Sequence, residues 1–324
     1  MEFAGVFSYL VFFLTMAGIY AVLALGLNVQ WGYTGQINIG VAGFFAVGAY
    51  TAAIMTTAPS EDHLGGFGLP FVVGLVAAMI ASGIVALAVG LITLKLRSDY
   101  LAIATIGIAE ILRLFLKNEQ WLTNGVRGIP SIPNPLEGLT GIGLGLGYLA
   151  IVIVLVVLTY WAVERLYRSP WARVLRAIRA NEDAVTAAGK SVLRFRVEAF
   201  VTGSMFMGLA GALYAHNSGF ISPEAFTPMF GTFLPWVMLI AGGSGNNRGA
   251  ILGAVVIWGV WTMTPTLIDL LNNIGIVPAF LAERASFLRI FLIGLLLEII
   301  LVTRPQGILP ERPPRPIDLP ADSG

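Results

Sequence analysis

The stretch FAGVFSYLVFFLTMAGIYAVLALGLNVQWGYTGQINIGVAGFFAVGAYTAAIMTTAPS, Phe3 to Ser60, runs for 58 residues without an Asp, Glu, Lys or Arg. About 20 apolar residues cross a bilayer as a helix, so this run is long enough for two crossings. A glycine- and amide-rich break, Asn28 to Gly40, divides it. The expected helices are Val6 to Val29 and about Ile39 to Thr57. No basic region precedes the first apolar stretch and no small-residue cleavage site follows it, which predicts a retained span rather than a cleaved signal.

Outward from this stretch the composition stays the same. Hydrophobic residues make up 57% of the 324 and charged residues 11%, against about 25% charged in ordinary globular domains. Mean hydropathy is +0.83, which asks for hydrocarbon as solvent. Further apolar stretches run from Leu69 to Leu94, Tyr100 to Leu116, Ile142 to Val163, Val197 to Ala215, Phe230 to Ala241, Ala250 to Leu267 and Phe287 to Val302. The expected fold is all-α, a polytopic transmembrane bundle of about nine membrane segments, between eight and ten. The seventh, at roughly 12 residues, is too short for an ordinary crossing and suits a half-helix or part of an irregular span. With no cysteine there is no thiolate chemistry or disulfide framework, and two histidines give little basis for a metal site.

Charge sets the orientation. Arg165 to Arg196 carries eight basic residues against two acids, Glu182 and Asp183, so this loop is expected to be cytoplasmic. Lys95, Arg97, Arg248, Arg304, Arg312 and Arg315 fall on the same side if every segment crosses, and Glu2, Glu61, Asp62 and Asp269 on the other. Nine crossings then place the N-terminus outside and the C-terminus in the cytoplasm. Residues 1–303 read as one membrane domain with a cytoplasmic loop at 164–198, and 304–324 as a Pro-rich, extended cytoplasmic tail. The 35-residue loop is below the roughly 50 residues of a small domain. Energy must therefore come from an ion gradient or a separate subunit.

Three features carry chemistry. In the break, Asn28, Gln30, Gln36 and Asn38 bring amides to membrane depth among glycines. One reading is a discontinuous helix beside a polar path; the other is a plain turn followed by a helix packed through Gly40, Gly43 and Gly48. Glu110 and Arg113 lie inside the fourth segment, Glu110 about 15 Å beyond Tyr100 at 1.5 Å per residue. Spaced i,i+3 they can pair on one face, either as a self-neutralised structural pair or as groups that touch what is transported. In the loop, Ser169 and Pro170 start one short helix, and Asn181 caps a second, Glu182 to Ala188, with Gly189 as its stop. Its face of Ala184, Ala187 and Ala188 has little to bury against its own chain and suits a groove in a partner; the alternative is a solvated basic loop near anionic lipid. Gly189, Lys190 and Ser191 imitate the end of a phosphate loop, but Ala184 stands where a glycine is needed and a helix precedes it.

The blocks GLNVQWGYTGQINIGVAGFFAVGAYTAAI (Gly26 to Ile54), YLAIATIGIAEILR (Tyr100 to Arg113), LRAIRANEDAVTAAGKSV (Leu175 to Val192), GLAGALYAHNSGFISPEAF (Gly208 to Phe226), GGSGNNRGAILGA (Gly242 to Ala254) and RPQGIL (Arg304 to Leu309) together resemble the LivM-type permeases of branched-chain amino acid ABC importers. The resemblance spans nearly the whole chain. It implies a bacterial plasma (inner) membrane protein that forms half of a translocation pathway without an ATPase site of its own. It also implies as partners a second homologous permease, two cytoplasmic ATP-binding subunits and an extracytoplasmic substrate-binding protein. It implies no cofactor in this chain, ATP being bound by the partner subunits, and no nucleic acid. The family's coupling element matches Glu182, Asp183, Ala184, Ala187, Ala188 and Gly189, although Val185 stands where a small residue is more usual. An ion-gradient-driven secondary transporter could also use Glu110 but has no need of this loop, and the same architecture can carry urea or short amides.

Overall fold

The computed structural model describes residues 2–60, 64–96, 98–136, 138–274, 278 and 284–311. Glu61, Asp62, Arg97 and the part of the proline-rich tail from Arg312 on, Arg315 included, lie outside the described residues. Among the described residues there is no strand, only one isolated antiparallel bridge, Ile129 to Ile221. The helices are α1 (Glu2–Thr34), α2 (Val41–Thr56), α3 (Phe71–Thr93), α4 (Ser98–Asn118), α5 (Gln120–Thr123), α6 (Ile142–Arg168), α7 (Pro170–Ala180), α8 (Glu182–Ala187), α9 (Val192–Ser218), α10 (Leu234–Gly242), α11 (Asn247–Asn273) and α12 (Ala285–Thr303).

All nine apolar stretches fall on helices. Among the described residues five helices are long and apolar enough to cross a membrane, in α1, α3, α6, α9 and α11. The exposed faces are apolar where water would demand polarity: Val72, Val76, Ile80, Ile84 and Leu87 on α3, and Ile153, Val157 and Trp161 on α6. The buried side of α3 is Gly74, Ala78, Ser82, Gly83 and Ala86. Small residues inside and large apolar ones outside fit a solvent of lipid tails, where close backbone packing rather than hydrophobic burial joins helices.

α9 is the centre, packed against α1, α2 and α3. Its glycines make this possible. A Cβ on Gly203 would lie 2.5 Å from the Gly26 carbonyl of α1, and one on Gly208 would lie 2.7 Å from the Ala78 carbonyl of α3. No side chain fits at either crossing.

The boundary at the break differs from expectation, whereas the seventh segment is short and irregular as expected. α1 does not stop near Val29 but continues to Thr34, narrowing the break to residues 35–40. Tertiary contacts hold the extra turn: Trp31 meets Trp236 edge-on at 5.1 Å, and the Tyr33 hydroxyl donates to Asn247 Oδ1 at 2.6 Å. The seventh segment is a π-helical turn, Met229–Phe233, running into α10. It remains a short, irregular unit, reached from α9 by the non-helical chain after Gly219 and a 3₁₀ turn at Pro223–Phe226.

Candidate functional site: an apolar cavity with a charged pair, and an exposed loop helix

The break is buried in protein, which is where irregular backbone survives in a membrane. Gly35 turns the chain with φ +72°. Gln30 is fully buried; its Nε2 donates to the Phe200 carbonyl at 2.7 Å and to Ser204 Oγ at 3.0 Å, and its Oε1 accepts from Asn38 Nδ2 at 2.8 Å. Asn38 Oδ1 in turn accepts from the Gly40 amide at 2.8 Å. These amides tie the end of α1, the start of α2 and α9 together. Gln36 is bound less completely. Its Nε2 donates to the Arg196 carbonyl at 3.0 Å, while its buried Oε1 has no partner.

Held this way, the break forms one wall of a cavity. Ile39 is fixed by its amide donating to Thr105 Oγ1 on α4 at 3.0 Å, and Ala42 by its amide donating to Thr232 Oγ1 at 3.1 Å. Trp236 donates from Nε1 to the Asn38 carbonyl at 2.8 Å. The cavity, about 510 Å³, is lined by Ile39, Ala42, Ile106, Phe226, Thr232 and Trp236 among others, with Glu110 as its charged lining residue. The glycine packing of the second reading is present, Gly40 and Gly43 lying against α4 and Gly48 against α9, and the space beside the break is apolar, with Glu110 at its edge.

Glu110 and Arg113 form a two-pronged pair, with Arg113 Nε to Oε2 at 2.9 Å and Nη2 to Oε1 at 2.6 Å. The pair is not sealed in the bundle interior: the Arg113 side chain is 17% exposed and that of Glu110 41%. Arg113 also sees Glu224 Oε1 at 3.5 Å, and Lys117 reaches the same oxygen at 2.9 Å. The Lys117 ammonium holds the Glu224 carboxyl below the usual carboxylate range. Sequence gave no hint of Glu224, 107 positions from Lys117; the 3₁₀ turn brings it there. His216 is structural, its ring nitrogens 3.1 Å from Thr56 Oγ1 and 2.8 Å from the Ala212 carbonyl.

The loop at 164–198 forms the two short helices its punctuation predicts. Ser169 Oγ accepts from the Ala172 amide with Pro170 at the first position, and Asn181 Oδ1 accepts from the Ala184 amide at 3.0 Å. α7 buries Ala172, Leu175 and Ile178. α8 buries only Val185; Glu182, Asp183, Ala184, Ala187, Ala188 and Gly189 are all exposed. Val185, the residue at odds with the small-residue pattern, packs in a cluster with Val29, Tyr33, Leu175 and Ile178 and so anchors the helix to the membrane core. Gly189 closes α8 at φ +74°, its amide donating to the Thr186 carbonyl at 2.9 Å and that of Lys190 to Val185 at 3.2 Å. This double bond is the Schellman stop that favours glycine.

The family described as "Branched-chain amino acid transport system / permease component" matches residues 9–301. The chain belongs to this permease family. It is 33% identical over 324 residues to the high-affinity branched-chain amino acid transport system permease protein LivM of Salmonella typhimurium, covering 93% of this chain and 70% of that protein. The probable LivM of Methanocaldococcus jannaschii is 31% identical, over 91% of this chain and 92% of its own. LivH of Salmonella typhimurium is 25% identical over 75% of this chain and 80% of its own. No solved structure matches the chain significantly.

In this permease Asn28, one of the amides expected at membrane depth, joins a polar network whose other members, Asn247 and Glu164, sequence reasoning missed. Asn28 Nδ2 donates to Asn247 Oδ1 at 2.9 Å, Asn28 Oδ1 accepts from the Gly245 amide at 2.8 Å, and Asn247 Nδ2 donates to Glu164 Oε2 at 2.9 Å. The described part of the tail joins it. The Ile308 and Leu309 amides donate to the Ala241 and Gly242 carbonyls, each at 2.9 Å. Arg179 of α7 donates to the Gly32 carbonyl and pairs with Glu311 at 2.6 Å. Arg304 to Glu311 is therefore a strap across the GGSG turn and α7.

Proposed function

We propose that this permease forms half of the translocation pathway of an ATP-driven importer for branched-chain or other hydrophobic amino acids. It does so in the bacterial inner membrane, N-terminus outside and C-terminus in the cytoplasm. Its partners are a second homologous permease, two cytoplasmic ATPase subunits and an extracytoplasmic substrate-binding protein. The observation that carries the reading is α8: a capped helix that buries only Val185, with Glu182, Asp183, Ala184, Ala187 and Ala188 exposed. A surface of small residues with acids in the first turn suits insertion into a groove of a subunit below the membrane. Its position in the basic loop agrees with the cytoplasmic assignment.

The cavity at α4 supplies the pathway side. Its apolar lining matches an aliphatic side chain, and the half-exposed Glu110 carboxylate offers an acceptor for an ammonium group. Arg113 orients that carboxylate through its own two-pronged bond to it. Gln30, Gln36 and Asn38 act one layer behind, by holding the break that positions Ile39 and Ala42. The chain does no covalent chemistry: ATP is bound by the partner subunits, and the Gly189 to Ser191 tripeptide is occupied as a helix stop.

Affinity purification from the native membrane, with identification of the co-purifying subunits, tests the reading. Recovery of ATPase subunits, and leucine uptake by the reconstituted complex that depends on ATP, is the expected result. ATPase activity in the single chain, or uptake driven by an ion gradient without ATP, overturns it.

A further inference from the structure

Two buried polar atoms without partners lie in complementary residues that already touch. Gln36 Oε1 is an acceptor without a donor, and Arg196 Nε is a donor without an acceptor. Gln36 Nε2 meanwhile donates to the Arg196 carbonyl at 3.0 Å. A buried polar group left unmade is costly, and a pair of opposite kind in contacting residues is what a hydrogen bond leaves behind when it opens.

The same arginine reaches the docking helix. Arg196 Nη2 donates to Glu182 Oε2 of α8 at 2.7 Å. Gln36 in turn sits in the break, three residues before Ile39, which hydrogen-bonds Thr105 of α4 and lines the cavity. Asn38, between them, is clamped to Gln30. A displacement of Glu182 therefore has a short polar route to the cavity wall: α8, the Arg196 side chain, Gln36, Ile39. The other contact found between α8 and the membrane core is the apolar anchor Val185, which has no such direction.

We propose that Gln36 and Arg196 are positioning residues that couple α8 to the cavity, and that Arg196 Nε donates to Gln36 Oε1 in the conformation reached when a subunit moves α8. The inference rests on α8 being the docking helix. One bistable contact biased from both ends is the physical content of coupling.

The test uses the assembled transporter in proteoliposomes, reading leucine taken up per ATP hydrolysed, with thermal melting of each complex as a control for folding. Arg196→Lys keeps a cation for Glu182 but has no Nε–H, and Gln36→Leu removes both the oxygen and the nitrogen of the side-chain amide. Each is expected to lower uptake per ATP by about fivefold or more with melting close to wild type. Gln36→Glu keeps an acceptor for Arg196 Nε but loses the donor to the Arg196 carbonyl, and is expected to retain more of the ratio than Gln36→Leu. A wild-type ratio in both Arg196→Lys and Gln36→Leu overturns the proposal while leaving the docking role intact. A loss equal in all three variants, matched by lower melting, makes the contact structural and overturns it too. A wild-type chain that assembles with no ATPase overturns the docking reading itself.

Discussion

Replacing Glu110 by alanine separates a structural ion pair from a transport site. Removing one member of a fully buried pair costs about 3 to 5 kcal/mol because the other charge is stranded, whereas exposed pairs three or four residues apart contribute about 0.3 to 0.5 kcal/mol. The observed pair lies between these limits. Arg113 is 17% exposed and Glu110 41%, and after the change Arg113 would still face Glu224 at 3.5 Å. The expected loss is therefore about 1 to 2 kcal/mol, near one hydrogen bond to a charged group, seen as a modest fall in melting temperature of the purified complex. Arg113→Ala should be worse, since it leaves the Glu110 carboxylate at membrane depth without its two-pronged donor. The paired change Glu110→Leu with Arg113→Leu should restore assembly, because no charge is left unpaired. Leucine uptake per assembled complex should nevertheless stay down by about tenfold or more in Glu110→Ala and in the double variant, the factor for a lost charge-assisted contact. Wild-type uptake in the double variant would refute the transport role and make the pair structural. Wild-type behaviour of Glu110→Ala in both assays would mean that its carboxylate faces water.

Three further outcomes follow from named contacts. Gln30→Leu strands the buried Asn38 amide and should cost about 1 to 3 kcal/mol in a melting assay, leaving the leucine affinity of correctly folded complex unchanged. Gly208→Val drives a side chain into the Ala78 carbonyl, 2.7 Å from the first added carbon; with backbone unable to yield, size-exclusion chromatography should show aggregate rather than folded protein. Gly189→Val meets no atom within 4 Å but must hold φ +74°, a strain of about 1 to 2 kcal/mol for an ordinary residue and more for a β-branched one. Like Asp at both Ala187 and Ala188, it should abolish ATP-driven uptake with membrane insertion intact, and normal uptake would remove α8 from the coupling path.

Much of the architecture is local, and so was legible before any coordinates. Charge-free runs mark helices because an unpaired backbone amide has no partner in lipid, and caps at Ser169, Asn181 and Gly189 mark the loop helices because each needs only neighbours three to five residues away. The i,i+3 pairing of Glu110 with Arg113 is fixed by helix geometry alone. Everything that depended on chain segments far apart stayed hidden. α1 outlasts its apolar pattern because Trp236 and Asn247 arrive from more than 200 positions on. The openness of the Glu110 pair, its neighbour Glu224, the anchoring of Val185 and the strap from Arg304 to Glu311 depend on which helices meet. In a bundle joined by glycine crossings that choice is made by close backbone contact, a property of three-dimensional fit that a count of apolar residues does not carry.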